Sequence, residues 1–271
     1  MIDSADPPKR TAAWRVLALL GAFSRGGGSL TLSQLSRYAD LSLTTTHRLV
    51  GEVMEWGGLE QDAEGKYRLS SKILNLASSS TQALRLREHA LPHLLELHRQ
   101  TGLGVQLGVR DDSSVMFLEA LRTHPNYSGE NRIGGRLPLH GTASGLVLLA
   151  YAMPDVVDDY LEQRLARYTP HTVIDPDTIR GELEIIRKRR YALGSQLISL
   201  EAGSVAAPVL NEELIVAAAV NVVFFVDRDD PQRLIKPVLE TANRISRSLA
   251  EVKSAPDPRT VDFRRRQAGL A

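Results

Sequence analysis

Two clusters carry residue types and spacings that could do chemistry. The first, Thr44-Thr45-Thr46-His47-Arg48, sets short hydroxyl donors beside an imidazole and a guanidinium. Three β-branched threonines in a row are poor helix formers, an odd choice where a helix has only a structural task. At the exposed start of a helix lying in the major groove of double-stranded DNA, however, these side chains reach base edges and phosphates. The second cluster is His140-Gly141-Thr142-Ala143-Ser144-Gly145. Its order is Gly-x-x-Ser-Gly, not the Gly-x-Ser-x-Gly of a nucleophile elbow, and no preceding strand is evident. A loop ending in Gly141 at a helix start, with Thr142 to cap it, instead offers unpaired N–H groups and a positive dipole end to a small anion.

Other chemistry finds little support. The chain has no cysteine, which removes disulfides, Cys-ligated zinc, iron–sulfur clusters and thiol nucleophiles together. His89 and His93 stand four apart, but Pro92 breaks the helical continuity a metal pair would need, and no acidic residues complete a site. No phosphate-binding Gly-rich loop and no dinucleotide fingerprint occurs, so neither cofactor nor metal is expected. An enzyme acting on a small carboxylic acid remains the alternative, with His140 and Ser144 as its candidates. A non-enzymatic binding role is the main expectation.

Composition is that of a globular protein: 271 residues, 43% hydrophobic, 24% charged and 5% aromatic. The N-terminal residues lack the apolar stretch of a signal peptide, and no apolar run is long enough to span a bilayer, so a cytoplasmic protein without a membrane partner is expected. The formal charge of +1 hides an uneven distribution. From Lys9 to Leu49 the chain carries Lys9, Arg10, Arg15, Arg25, Arg37 and Arg48 against Asp40, a net +5. From Val50 to Gly65 it carries Glu52, Glu55, Glu60, Asp62 and Glu64 with no base, a net −5. Such a module can turn a basic face to phosphates while its sum stays near zero.

The elements that would hold these clusters follow from periodicity. Ala13, Val16, Leu17, Leu20 and Phe23 mark a first helix ended by Gly26-Gly27-Gly28, and Leu32 to Ala39 fits a second. Ser42 then caps a third, with Leu49, Val50, Val53 and Met54 or Trp56 inward. Leu59 to Asp62 and Lys66 to Leu69, joined through Ala63-Glu64-Gly65, read as a hairpin. Helix, helix, turn, helix and hairpin is the order of a winged helix-turn-helix. Residues 9–70 form this unit, 71–87 a linker helix, 88–254 a second unit and 255–271 a disordered tail. In the second unit Pro92 opens a helix. Strands at Val105–Val109, Val115–Leu121, Ser204–Leu210 and Leu214–Val226 mix with helices at Thr142–Ala152, Asp155–Ala166, Asp177–Arg189 and Pro231–Val252, which gives an α+β class.

Leu30-Thr31-Leu32-Ser33-Gln34-Leu35, the threonine cluster and Gly65-Lys66-Tyr67-Arg68-Leu69 resemble the DNA-binding half of IclR-type transcriptional regulators. The resemblance continues through Leu137 to Gly145, Tyr168-Thr169-Pro170-His171-Thr172 and Val205-Ala206-Ala207-Pro208-Val209, about 240 residues in the expected order. It implies a winged helix-turn-helix joined by a helix to a GAF-like effector-binding domain, in a homodimer or dimer of dimers on a near-palindromic operator. On the matching positions, DNA contacts fall to Arg10, Thr31, Ser33, Thr44, Thr45, Arg48 and Lys66, and Leu43 stands where the family usually has a lysine.

The effector pocket would be built by Gly141, Thr142, Ala143, Gly194, Ser204, Asn221 and Val223. Here the chain departs from the pattern: Gly194-Ser195-Gln196 replaces an acidic stretch, Ser204 a cysteine, and Asn221-Val222-Val223 a Ser-x-Ser. Loss of the acid and of one hydroxyl opens volume and lowers polarity, so the expected effector is an organic acid larger and more apolar than a two- or three-carbon keto acid, aromatic in body. The role implied is regulation of a catabolic operon.

Overall fold

The computed structural model describes residues 11–26, 28–78, 81–122, 132–211 and 213–251. Arg10 and the segment 255–271 lie outside them. The chain divides into two compact units, residues 1–81 and 82–271.

In the first unit, α1 (Ala12–Gly26), α2 (Leu32–Ala39) and α3 (Leu43–Glu55) enclose Leu19, Phe23, Leu35, Leu49, Val50 and Val53. Each of the two later helices is started by its own side chain. Thr31 and Gln34 form a reciprocal capping box on α2, and the Ser42 hydroxyl accepts from the Thr45 amide at the head of α3. Between them Asp40 takes a left-handed conformation (φ 52°), which sets the turn. The two-residue β1 (Ser29–Leu30), β2 (Leu59–Gln61) and β3 (Tyr67–Leu69) form an antiparallel sheet in the order β1-β3-β2, and α4 (Ser71–Ser78) follows. Trp56 is exposed and does not join the core: its ring lies over Gly58, and the Lys72 ammonium stands 4.6 Å from the ring centre. Met54 packs inward in its place.

The second unit opens with α5 (Thr81–Thr101), which runs straight through Pro92. The expected break is absent because Leu86, Ala90, Leu94 and Leu97 form one buried stripe along the helix, while Pro92 lies on the wet side, where the carbonyl it leaves unpaired meets water. Then come β4 (Gly104–Asp111), β5 (Ser114–Leu121), the short β6 (Arg136–Pro138), a 3-10 turn at Leu139–Gly141 and α6 (Ala143–Ala150). After these follow α7 (Pro154–Leu161), α8 (Pro176–Arg189), β7 (Ala192–Ser195), β8 (Ala202–Leu210), β9 (Val216–Phe225) and α9 (Gln232–Glu251). The strands make an antiparallel sheet in the order β6-β5-β4-β9-β8-β7.

Alternation along β8 and β9 divides the core in two. Val205, Ala207, Val220 and Val222 pack with α5 and α9, whereas Ala206 and Ala219 pack with α6 and α8. All eight residues of α6 are buried. The 3-10 turn before it is pinned tightly: a Cβ on Gly145 would stand 2.1 Å from the Leu139 carbonyl oxygen. His140 fixes the turn from the other side. Its Nε2 faces the Ala166 carbonyl at 2.9 Å and so carries the proton. Its Nδ1 then accepts from the Tyr160 hydroxyl at 2.6 Å, which itself accepts from the His140 amide at 3.0 Å. Burial lowers the pKa of His140, in keeping with this neutral ring.

Two stability experiments follow. Gly145→Ala forces backbone apart and should cost more than about 2 kcal/mol in urea unfolding, whereas Gly51→Ala, on the open face of α3, should gain about 0.5–1 kcal/mol. Because the unfolded state takes up a proton near pH 6.5 that folded His140 refuses, stability should fall as pH drops through 6.5 toward the lower folded-state pKa. His140→Phe should lower stability at pH 8 yet flatten that slope. His93, shifted the same way by burial, leaves part of it.

Candidate functional site

Two candidate sites lie in separate units. On α3, Thr44, His47 and Arg48 are spaced i, i+3, i+4 and exposed, so they share one outward face. Thr45 is half-buried, its hydroxyl accepting from Ser42 Oγ at 2.8 Å. Thr46 belongs elsewhere: it is fully buried, and its hydroxyl donates to the Ser42 carbonyl at 2.9 Å. Among the three threonines, the middle and last therefore also secure the helix start, and Thr44 is the one left wholly to solvent.

Arg48 forms an ion pair with Glu52 one turn along. Lys66, on the β2–β3 turn, pairs with Glu64 at 2.7 Å, a hydrogen bond that raises its pKa. The turn itself is held by Asp62, whose carboxylate accepts from the Lys66 amide (2.8 Å), the Glu64 amide (3.0 Å) and the Ser29 hydroxyl (3.1 Å). Those bonds lower the pKa of Asp62, the Lys66 amide contributing most. Thr31 and Ser33 lie exposed at the start of α2, where the capping box engages the Thr31 and Gln34 amides and helix geometry leaves those of Leu32 and Ser33 without an intrahelical acceptor.

The second site is a cavity of about 110 Å³ between the start of α6 and the sheet face formed by β4, β9, β8 and β7. All seven residues expected from the sequence to form the pocket line it: Gly141, Thr142, Ala143, Gly194, Ser204, Asn221 and Val223. The strand register explains how positions so far apart converge. Gly194 pairs with Ser204 and Ser204 with Val223, in one row across three strands. One pleat along, Ala206 pairs with Asn221 and Asn221 with Gln106. The Asn221 amide donates to Gln106 Oε1 at 3.0 Å.

Sequence reasoning missed Gln106, Phe117, Ala202, Gly203 and the segment Leu197 to Ser199, and considered Ser144 only as a nucleophile. Gln106 could have been found as the polar residue in the apolar run of β4; the 197–199 segment gives no such signal. That segment closes the cavity because Thr169 and Thr172 hold it, donating to the Gln196 and Leu197 carbonyls at 2.5 and 2.6 Å.

None of the lining residues is ionisable. Thr142 caps α6, its hydroxyl accepting from the Gly145 amide at 3.0 Å, and helix geometry leaves the N–H groups of Ala143 and Ser144 without an intrahelical acceptor. A Cβ at position 194 would meet Leu197 Cδ1 at 2.7 Å and stand 3.6 Å from the Ala143 nitrogen, so glycine there makes room for the Leu197 side chain beside the helix start. Two buried polar atoms in the lining have no partner, Ser144 Oγ and Asn221 Oδ1. A larger cavity of about 660 Å³ lies beyond Gly194 and Leu197 against α8, but it holds neither of these atoms nor the helix start. In the smaller cavity a bound anion would meet neutral donors only, and its lining contains no group able to act as general base. Among the described residues no cluster of His, Asp or Glu could hold a metal ion, and no helix is long and apolar enough to cross a membrane.

Comparison with known proteins agrees with this two-part layout. Residues 12–63 match the family model for the IclR helix-turn-helix domain, and residues 78–247 that for the bacterial transcriptional regulator IclR C-terminal region. The chain is 31% identical over 222 residues to the HTH-type transcriptional regulator XynR of Escherichia coli, covering 81% of this chain and 88% of that protein. It is 31% identical over 242 residues to the p-hydroxybenzoate hydroxylase transcriptional activator of Acinetobacter baylyi, covering 84% and 88%. The crystal structure of an IclR homolog from Microbacterium hydrocarbonoxydans complexed with 4-hydroxybenzoate superposes with a TM-score of 0.80 at 34% identity, covering 87% of this chain and 97% of that one. The chain belongs to the IclR family of bacterial transcriptional regulators.

Proposed function

We propose that this regulator controls a catabolic operon and answers to an aromatic carboxylic acid bound in the 110 Å³ cavity, its carboxylate against the start of α6. The observation that carries the reading is the chemistry of that cavity: apolar walls from Phe117, Leu197, Ile198 and Val223, with neutral donors gathered at one end. The cavity is smaller than the roughly 150 Å³ apolar cavity that holds benzene, so an aromatic acid would fill it only with its mouth open to solvent or with Leu197 and Ile198 moved aside. The relatives that act in hydroxybenzoate metabolism or hold 4-hydroxybenzoate support the same ligand class. An enzymatic role finds no footing, because both ring nitrogens of His140 are engaged in holding the turn before α6.

In this reading the first unit is a winged helix-turn-helix, with residues 9–70 as the DNA-binding domain and 71–87 as linker. Residues 88–254 are a GAF-like effector domain. Support comes from the division of the chain near residue 81 and from the antiparallel sheet with helices on both faces. Thr44, Thr45 and Arg48 read bases, while Thr31, Ser33, Lys66 and Arg10 meet phosphates. The protein acts in the cytoplasm as a homodimer or dimer of dimers. Exposed Leu17 on α1 and Leu74 and Leu76 on α4 supply apolar surface suited to a second copy. Effector binding shifts the dimer between arrangements that present the two α3 helices differently to half-sites about one helical turn apart.

The DNA half is tested with fragments recovered from a genome-wide map of bound sites. Arg48→Ala should weaken binding at least about tenfold in gel shifts without altering the melting temperature; unchanged affinity would remove Arg48 from the interface. Leu43→Lys, at the exposed first position of α3, should tighten binding and steepen the salt dependence by about one counterion. The effector half is tested by titration calorimetry. Benzoate-class acids should release heat where glyoxylate and pyruvate do not, and Gly194→Asp, which crowds Leu197 and sets a carboxylate near the helix start, should abolish it, whereas Gly194→Ala, which crowds Leu197 alone, should weaken it less. Heat from the keto acids alone would overturn the aromatic assignment.

A further inference from the structure

The larger cavity, of about 660 Å³, follows the outer edge of β7. Tyr191, Leu193, Gly194 and Ser195 all line it, although successive side chains of a strand leave by opposite faces. Its walls also come from both sides of the sheet: Ile179 and Ile185 belong to α8 on one face, Gln232 to α9 on the other. A space bordered in this way lies beyond the edge, where a further strand would run. β7 ends the sheet on this side, and its pairing shows which backbone groups face out. The register of Ala192 and Gly194 continues to the Gln196 amide, which donates to the Ala202 carbonyl at 3.0 Å, so even-numbered residues turn toward β8. Odd-numbered residues turn outward. Of these, the Tyr191 carbonyl accepts from Arg189 Nε at 2.7 Å, while the N–H and C=O groups of Leu193 and Ser195 meet no partner strand among the described residues. Beside them stand exposed apolar side chains, Val173 and Ile185.

The chain itself carries a matching strand. Residues 252–271 follow α9 in the same unit, beyond residue 247, where the match to the family model ends. Within them Thr260-Val261-Asp262-Phe263-Arg264 alternates polar residues with a β-branched and an aromatic one, the pattern of a strand with one dry face. Arg264, Arg265 and Arg266 against Asp262 give residues 260–266 a net charge of +2. Facing them, residues 175–184 carry Asp175, Asp177, Glu182 and Glu184 against Arg180, a net −3. Reach is sufficient. Arg190 donates to Asn243 Oδ1 at 3.3 Å, which sets that part of α9 beside the start of β7, and Glu251 lies about 12 Å farther along the helix. From Glu251 to Val261 an extended chain covers about 33 Å. We propose that residues 260–264 add to the edge of β7 as a further strand, with Val261 and Phe263 against Val173 and Ile185 and the arginines along α8. Gly194 and Leu197 line both cavities, so the docked tail backs the wall that Leu197 gives the smaller one.

Cross-linking tests this in the full chain, which has no cysteine of its own. Gln232→Cys/Asp262→Cys sets one thiol on the α9 side of the groove and one on the polar face of the tail. Mild oxidation should join them within a single chain, seen as a faster, reduction-sensitive band on a denaturing gel. Ser113→Cys/Asp262→Cys, whose first thiol lies on the β4–β5 turn at the far side of the sheet, should give no such band. A dimer band in place of the fast one would hand the groove to a second copy and overturn the intramolecular docking; no cross-link, or equal cross-linking of both pairs, would remove the tail from the groove. Hydrogen exchange gives an independent reading. The Leu193 and Ser195 amides should exchange at least about tenfold more slowly in the wild type than in Val261→Asp/Phe263→Asp, whose melting curve checks that the units remain folded. Equal exchange in the two proteins would sink the proposal, whatever else covers the edge.

Discussion

The second unit turns on one close crossing. The backbone at Leu139 passes over α6 so tightly that position 145 has no space for a side chain, and the turn is tied down by the His140 ring between Tyr160 and the Ala166 carbonyl. That contact fixes the turn from which α6 starts, and the start of α6 borders the cavity against the sheet. The apolar character of α6, buried on every side, keeps it from rotating to expose a different end. A short motif that looks at first like catalytic machinery is thus an architectural joint, and its histidine is neutral because the joint is dry.

In the reading proposed above, the cavity prepares for an anion without offering it a counter-charge. A buried lysine or arginine would stay costly in the empty state and would shift its own pKa in response. Oriented amides and hydroxyls cost less to bury, keep their geometry across the physiological pH range, and still place partial positive charge where a carboxylate would lie. The walls gain their shape from neighbours with no ligand contact. Thr169 and Thr172 fasten the 196–198 connection, which places Leu197 and Ile198 over the opening.

Sequence patterns revealed the first unit almost entirely, because its signals are local: Ser42 and Thr31 cap their own helices, and the hydrophobic spacing of Leu49, Val50 and Val53 fixes the inward face of α3. Thr46 was misread for the reason that made the cluster conspicuous, since identical side chains on successive helical positions point in different directions and one must enter the core. In the second unit the long strands were legible and the short ones were not. Arg136–Pro138 and Ala192–Ser195 are too brief to show alternation, and they become strands only through pairing with β5 and β8. Pro92 misled because a local helix penalty was weighed without the buried stripe that outweighs it. Pocket membership came from resemblance; the register that unites Gly194, Ser204 and Val223 is a property of the sheet.

The acidic partners of Arg48 and Lys66 bear on how such a molecule finds its site. Both bases are already engaged, with Glu52 and Glu64, in exposed pairs of small net worth. Under the docking proposed above, each contact of these two bases with DNA would first have to displace an attached carboxylate. The glutamates would then lower affinity for random duplex more than for a matched site, where the proposed base-edge contacts offset the exchange.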